Sequence, residues 1–71
     1  MEYLLVKFSE QRSVVIDNYD SEYKTNQIIE MDGGHHNISL TDPQDYTPKE
    51  HIIILQNTGW LNPMEVYFEK E

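Results

Sequence analysis

The sequence predicts an all-β fold, a small antiparallel β-sandwich of about six to seven strands formed by residues 1–71 as a single domain. Short runs rich in valine, isoleucine and aromatic residues recur between turn-forming residues, a pattern typical of half-buried strands. Alanine, the residue with the highest helix propensity, is absent. The segment after the glycine pair alternates with period two, as a strand with one buried face does.

Three strands are predicted in the first half of the chain. The polar residues 9–12 separate the first two apolar runs and have the length of a hairpin loop. Residues 18–24 are polar with two tyrosines and are predicted to form a loop. Ile28 and Ile29 lie at the centre of the third run. The three predicted strands are residues 3–8, 13–18 and 25–31.

A turn followed by a fourth strand is predicted over residues 32–41. Asp-Gly-Gly at 32–34 is a turn signal because glycine adopts positive φ without steric cost. We therefore predict a hairpin with Gly34 as its hinge. In the strand, His36 points to the same face as the apolar residues, whereas His35 points to the opposite face.

The second half of the chain leaves one segment ambiguous. Two prolines make residues 41–48 a loop or an irregular edge. For residues 50–58 a helix and a strand are both open. The segment 47–50, Thr-Pro-Lys-Glu, has the form of a helix capping box with proline at the first helical position. The β-branched run at 52–55 favours a strand, which is the interpretation we prefer.

The last strand is predicted at 65–70, and Trp60 before it is predicted to cover one end of the core. In the second strand Val15 is assigned to the core. Val14 and Ile16 are the alternative face, since a slip of one residue inverts a strand. The predicted core residues are Val15, Ile29, Ile38, Leu40, Ile52, Ile54, Val66 and Phe68.

Charge and composition narrow the function classes. Thirteen acidic residues against five basic ones give a net charge of −8, which disfavours binding to nucleic acid or to an anionic membrane. A chain of this length has a thin hydrophobic core. It contains no cysteine, so neither disulfides nor thiolate metal sites can stabilise that core. No apolar run approaches the length of a membrane span, and the N-terminus lacks the pattern of a signal peptide. Localisation stays unknown, with the cytoplasm slightly favoured.

Three segments resemble the motifs of PEGA domains. Residues 14–18, Val-Val-Ile-Asp-Asn, are similar to the Val-x-Ile-Asp-Gly strand of that family. Residues 34–40, Gly-His-His-Asn-Ile-Ser-Leu, resemble its Gly-x-His-x-Val-x-Leu strand. Residues 46–48, Tyr-Thr-Pro, resemble its Gly-Tyr-x-Pro loop, with Asp45 in the place of the glycine. These motifs occur in the order of the family and cover most of the chain.

The resemblance describes a divergent PEGA-like domain. Residues 23–26 read Tyr-Lys-Thr-Asn where the family has Gly-x-Thr-Pro, and the Pro-Glu-Gly-Ala string is absent. The resemblance implies a small antiparallel β-sandwich that serves as an accessory module in larger bacterial or archaeal proteins, often at the cell envelope. It implies no catalytic residues.

The histidines and acidic residues give few candidates for chemistry. His35 and His36 are adjacent in a predicted strand, so they point to opposite faces and cannot both bind one metal ion without a distortion at the turn. Asp17 is predicted to cap a turn by accepting backbone N–H groups. The acidic segment 17–22 has oxygen ligands that suit calcium but lacks the central glycine and distal glutamate of an EF-hand. We predict no catalytic residue, cofactor or metal ligand.

Four exposed aromatic side chains are the predicted contact residues for a ligand or partner. Amphipathic rings suit such contacts, and the three tyrosines among the candidates are predicted to lie in loops. The candidates are Tyr19, Tyr23, Tyr46 and His35.

These observations predict a non-catalytic structural or protein-interaction module rather than an enzyme. The expected partner is another protein, or a second copy of the chain, held through an edge strand. No nucleic acid and no membrane insertion are expected. The alternative is a small acidic cation-binding protein that uses the loop carboxylates or the histidines.

Overall fold

Nine strands and no helix make up the computed structural model, which describes residues 1–71. The predicted small antiparallel all-β fold is confirmed, with more strands than the sequence suggested. Residues 51–55 form a strand, as preferred. The strands are β1 (Glu2–Lys7), β2 (Ser13–Ile16), β3 (Tyr19–Lys24), β4 (Ile28–Met31), β5 (Gly34–Leu40), β6 (Tyr46–Thr47), β7 (His51–Leu55), β8 (Met64–Tyr67) and β9 (Glu69–Lys70).

Two sheets enclose the core. One has the strand order β4-β1-β8 and the other has the order β3-β2-β5-β7, while β6 and β9 pair at one end. All pairs are antiparallel except β1 with β8, which run parallel. No helix in the structure could span a membrane.

The chain changes sheet at two places where hairpins were predicted. β1 pairs with β4 and β8 rather than with β2, so residues 9–12 cross between the sheets. The turn at 32–34 likewise connects β4 of one sheet to β5 of the other, and the hairpin prediction there is wrong. Gly34 is the hinge, with φ of 107°. A Cβ at Gly33 would lie 2.8 Å from the carbonyl oxygen of Leu55, so this crossover fits closely against β7.

The true hairpin joins β2 to β3, where a loop was predicted. Ile16 pairs with Tyr19, so Asp17 and Asn18 form a two-residue turn. Both have positive φ, 53° and 70°, which a type I′ turn requires and which Asp and Asn tolerate. The prediction of a loop over 18–24 failed because polar residues with tyrosine can also form an exposed edge strand.

The core contains twelve buried apolar residues contributed by both sheets. Five predicted members are buried, namely Ile29, Ile38, Leu40, Val66 and Phe68. Val14 is buried instead of Val15, so the alternative face is the correct one for β2. The remaining core residues are Leu4, Val6, Phe8, Tyr46, Ile53 and Leu55.

The assignment of Ile52 and Ile54 to the core is wrong. Their side chains are 73% and 50% exposed, whereas Ile53 and Leu55 are buried. Pairing with β5 decides the face, since Ile53 lies opposite His36, whose side chain points to the interior. Four consecutive apolar residues carry no alternation, so the sequence alone could not choose between the two faces.

Arg12 links several loops through hydrogen bonds. Its guanidinium donates to Asp45 Oδ1 at 2.5 Å and to Glu10 Oε2 at 2.7 Å, and it lies 5.0 Å from the ring centre of Phe8. The hydrogen bond from Arg12 lowers the pKa of Asp45 to about 2. Buried Thr25 completes the connection by accepting from the Arg12 N–H and donating to the Glu10 carbonyl.

Candidate protein-interaction edge

β7 lies at the edge of the four-stranded sheet and is held by one neighbour, β5. Its first residue, His51, points inward, where its ring packs edge-on against Phe68 with centroids 4.9 Å apart. His51 Nε2 bonds the carbonyl oxygen of Tyr67 in β8 at 2.7 Å. The strand is therefore fixed in register by β5 and anchored at its start to the opposite sheet.

The backbone groups of Ile52 and Ile54 face the free side of β7. Asn37 in β5 directs its N–H and C=O away from β7, because they bond Asp17 at 2.9 and 2.8 Å. In an antiparallel ladder the direction alternates, so the residues of β5 on either side of Asn37 bond β7. Their partners are His51 and Ile53, which leaves Ile52 and Ile54 pointing outward. Neither residue donates or accepts any hydrogen bond outside the ladder.

The side chains of the same two residues form an apolar patch on the outer face of the sheet. Ile52 lies opposite Asn37 and Ile54 lies opposite His35. The Asn37 amide donates to Glu50 Oε2 at 2.8 Å, which fixes the polar border of the patch. A strand added to β7 would therefore gain backbone hydrogen bonds and cover two isoleucine side chains.

The other sheet edges carry features that oppose strand addition. β3 pairs with β2 through a register shift, and Glu22 has a positive φ of 66°. Side chains already occupy two of its backbone amides: Glu22 N–H donates to Asp20 Oδ1, and Tyr23 N–H donates to Ser21 Oγ. β4 and β8 are four residues long and each contains a glutamate. Among the edge strands of the two larger sheets, β7 alone has no aspartate, glutamate, lysine or arginine.

An ion pair braces β5 beside this edge. His36 Nδ1 lies 2.8 Å from Asp17 Oδ2, and His36 Nε2 lies 2.9 Å from the carbonyl oxygen of Asp32. Both ring nitrogens thus face acceptors, which only the protonated imidazole satisfies with two N–H groups. Asp17 does accept a backbone N–H, as predicted, but the donor is Asn37 across the sheet.

The pKa values of this pair shift in opposite directions. Burial of the His36 ring lowers its pKa, but the hydrogen bonds with Asp17 and Asp32 outweigh burial and raise the pKa above 6.5. The backbone N–H of Asn37, followed by His36, lowers the pKa of Asp17 below 3.8. The pair therefore stabilises the fold at pH values above the ordinary pKa of a carboxyl group and below the ordinary pKa of an imidazole. The His36 contribution is lost as pH rises through its raised pKa.

We expect His36→Gln to reduce stability at pH about 5.5 by about 0.5 to 1 kcal/mol more than at pH about 8, because Asp17 is half exposed and water screens the pair. Urea unfolding of both proteins at the two pH values measures this difference. His35→Gln, which removes an exposed imidazole from the same strand, is the matched control. A His36→Gln deficit that stays constant across this pH range would contradict the assignment of charge to His36.

The four predicted contact residues are dispersed. Tyr19 and Tyr23 are exposed in β3, at the edge opposite β7, and His35 is exposed on the outer face beside Ile54. Tyr46 is 1% exposed and lies in β6 within the core, so its ring is unavailable to a partner and the prediction that it lies in a loop is wrong. Only His35 adjoins the β7 edge.

Trp60 and Leu61 form an exposed tip that sequence reasoning missed. They occupy the two central positions of a turn closed by hydrogen bonds in both directions between Gly59 and Asn62, at 3.1 and 2.9 Å. Trp60 is 66% and Leu61 is 89% exposed, so the prediction that Trp60 covers the core is wrong. A turn flanked by Asn and Gly was the available signal for this exposure.

An open depression of about 690 Å³ lies beside the loop that follows β5. Among its lining residues, Glu50 accepts from Asn37, and the Lys49 ammonium donates to Glu71 and to the carbonyl oxygens of Gln44 and Tyr46. No three His, Asp or Glu side chains in the structure are grouped to hold a metal ion.

No family model, curated protein or solved structure matches this chain in the comparisons.

Proposed function

We propose that this chain is a non-catalytic protein-interaction module that binds an extended segment by adding it as a strand to β7. The observation that carries the proposal is the coincidence, at Ile52 and Ile54, of outward backbone groups and exposed side chains. Unsatisfied strand groups beside an apolar surface are what strand addition requires.

The contrast between β7 and the edge strands β3, β4 and β8 also supports β7 as the binding strand. A flat, uncharged edge of β-branched residues is a liability for a free protein, and charge, shortness or irregularity usually protects it. β3, β4 and β8 have such protection, whereas β7 has none. An unprotected edge strand, in a molecule whose other large-sheet edges are protected, is expected where a partner strand binds.

The resemblance to PEGA domains supports an accessory role for the module. PEGA domains are accessory parts of larger proteins, often at the cell envelope, and we propose the same kind of role for this divergent PEGA-like chain.

A strand-forming peptide provides the test. The probe is a synthetic peptide of alternating valine and threonine with a lysine at each end, titrated into the protein and followed by amide NMR. We expect saturable binding with amide shifts concentrated at Ile52 and Ile54. Ile54→Pro removes an outward N–H that β5 does not use, and it should weaken binding at least about tenfold.

Two further variants keep the test decisive. Ile54→Lys places a charge on the edge and should weaken binding even if the proline variant folds poorly. Ile54→Thr keeps the N–H and the strand propensity, so it is the matched control and should retain most of the binding. Absence of binding, or shifts centred on β3 or β4, would overturn the proposal.

A further inference from the structure

We infer that the segment paired with β7 is β7 of a second copy of this chain, running antiparallel about a two-fold axis through Ile53. This inference rests on the proposed function of β7 as a strand acceptor and names its partner. The resulting sheet would be continuous across the two copies, with β7 next to β7 at its centre.

The spacing of the free backbone groups suits pairing of β7 with a second β7. Antiparallel strands exchange both hydrogen bonds at alternate residue pairs. With the axis at Ile53, Ile52 lies opposite Ile54 of the second copy, and the reverse pair follows by symmetry. Both outward N–H groups and both outward carbonyl groups of each copy then find partners.

The length of β7 favours a two-fold axis at Ile53. Ile53 is the middle residue of β7, so this register pairs all five residues of His51–Leu55 with one another. An axis at Ile52 would extend the pairing beyond the start of the strand and place Glu50 opposite Ile54. An axis at Ile54 would place Ile52 opposite Gln56. The register about Ile53 alone places isoleucine opposite isoleucine in both outer-face pairs.

The charges along β7 also permit this register. The strand itself contains no carboxylate, and in this register Glu50 would lie opposite the uncharged Gln56, so no like charges face each other across the pair. The net charge of −8 still repels two copies at a distance. Added salt shortens the range of that repulsion, so self-association should strengthen with ionic strength. A basic partner segment would show the opposite dependence.

The test uses cysteine cross-linking, since the chain has no cysteine of its own. The variants are Ile52→Cys and Ile54→Cys, both at exposed positions. Directly opposed residues have Cα atoms about 5.5 Å apart, within the range that a disulfide spans, whereas diagonal neighbours lie about 7 to 8 Å apart. In a glutathione buffer, a mixture of the two variants should give at least about fivefold more disulfide dimer than either variant alone.

A control variant distinguishes specific pairing of two β7 strands from disulfide formation by random collision. Ile28→Cys lies on β4, and its mixture with Ile54→Cys should form no more dimer than either variant alone. Equal dimer from that mixture, or a higher yield from Ile52→Cys alone than from the mixture with Ile54→Cys, would overturn the register proposed here.

Sedimentation of the wild-type chain completes the test. A five-residue strand pair is a small interface, so the concentrations should run from about 1 µM to 1 mM. We expect a monomer–dimer equilibrium that strengthens with salt and is weakened at least about tenfold by Ile54→Lys. A monomer at every concentration, with the valine–threonine peptide still binding at β7, would overturn self-pairing and leave the proposed function standing. A monomer that also fails to bind the peptide would overturn both.

Discussion

Tyr46→Phe is expected to destabilise the fold by about 1 to 3 kcal/mol, although it removes one oxygen atom. The Tyr46 hydroxyl donates to the Leu40 carbonyl at 2.8 Å and accepts from the Leu40 N–H at 3.3 Å. β7 begins opposite Ile38, so it does not reach Leu40. The hydroxyl takes the place of a missing strand residue, and the phenylalanine variant leaves two buried backbone groups without partners.

Tyr46→Leu should cost more, about 3 to 5 kcal/mol, because the ring also packs edge-on against Phe8 and Phe68 with centroids 6.2 and 5.4 Å away. A domain of this size has a total stability of about 4 to 10 kcal/mol, so the leucine variant should be close to unfolded. Urea unfolding monitored by circular dichroism gives both values. A Tyr46→Phe protein as stable as wild type would contradict the role assigned to the hydroxyl.

The second large effect is a contrast between neighbours in β7. Ile53→Ala should destabilise the fold by about 2 to 5 kcal/mol, since the side chain is 7% exposed and its loss leaves a cavity. Ile54→Ala should cost no more than about 1 kcal/mol, mainly through lower strand propensity. Thermal and urea unfolding of the two variants at low protein concentration measure the difference without contributions from association.

The contrast tests the face of β7 directly. If the strand were shifted by one residue, the order of the two variants would reverse, and the exposed patch would contain Ile53 and Leu55 instead. Equal losses at the two positions would mean that both faces of the strand are covered, which would leave no apolar surface for a partner.

Where apolar and polar residues alternate, the sequence predicted both the strand and its buried face. In β5 the alternation of His36, Ile38 and Leu40 with polar residues indicated the inward face correctly. In β7 the run of apolar residues identified a strand but not its face, because the face depends on pairing with a distant segment. β3 was missed for a similar reason, since a polar edge strand has no hydrophobic periodicity.

The connections were the least predictable feature of the fold. Residues 32–34 have the composition of a hairpin turn, yet they lead from one sheet to the other, because turn residues specify local backbone geometry and not the next pairing partner. The prolines and polar residues around Tyr46 predict a loop. The role of Tyr46 depends on where β7 begins, which no local pattern contains.

For the candidate edge, the sequence predicted that some edge strand would be the contact surface but did not identify β7. Two facts identify β7 as the contact strand: its position at the end of the strand order, and the outward direction of the backbone groups at alternate residues along it. Both follow from tertiary pairing. Of the residues proposed for contact, His35 alone borders the edge. The sequence assigns the isoleucines that carry the proposal to the core, because an apolar run without alternation does not show which face is exposed.

Residue-resolved amide hydrogen exchange of the dilute wild-type protein tests the central claim, that β7 presents a free edge. The amides of Ile53 and Leu55, bonded to β5, should exchange on the order of 100-fold more slowly than those of Ile52 and Ile54. That alternation, with the fast pair slowing as concentration rises, is the predicted result. Equally slow exchange at all four amides at the lowest concentration would show that β7 is already covered within one chain and would contradict the account.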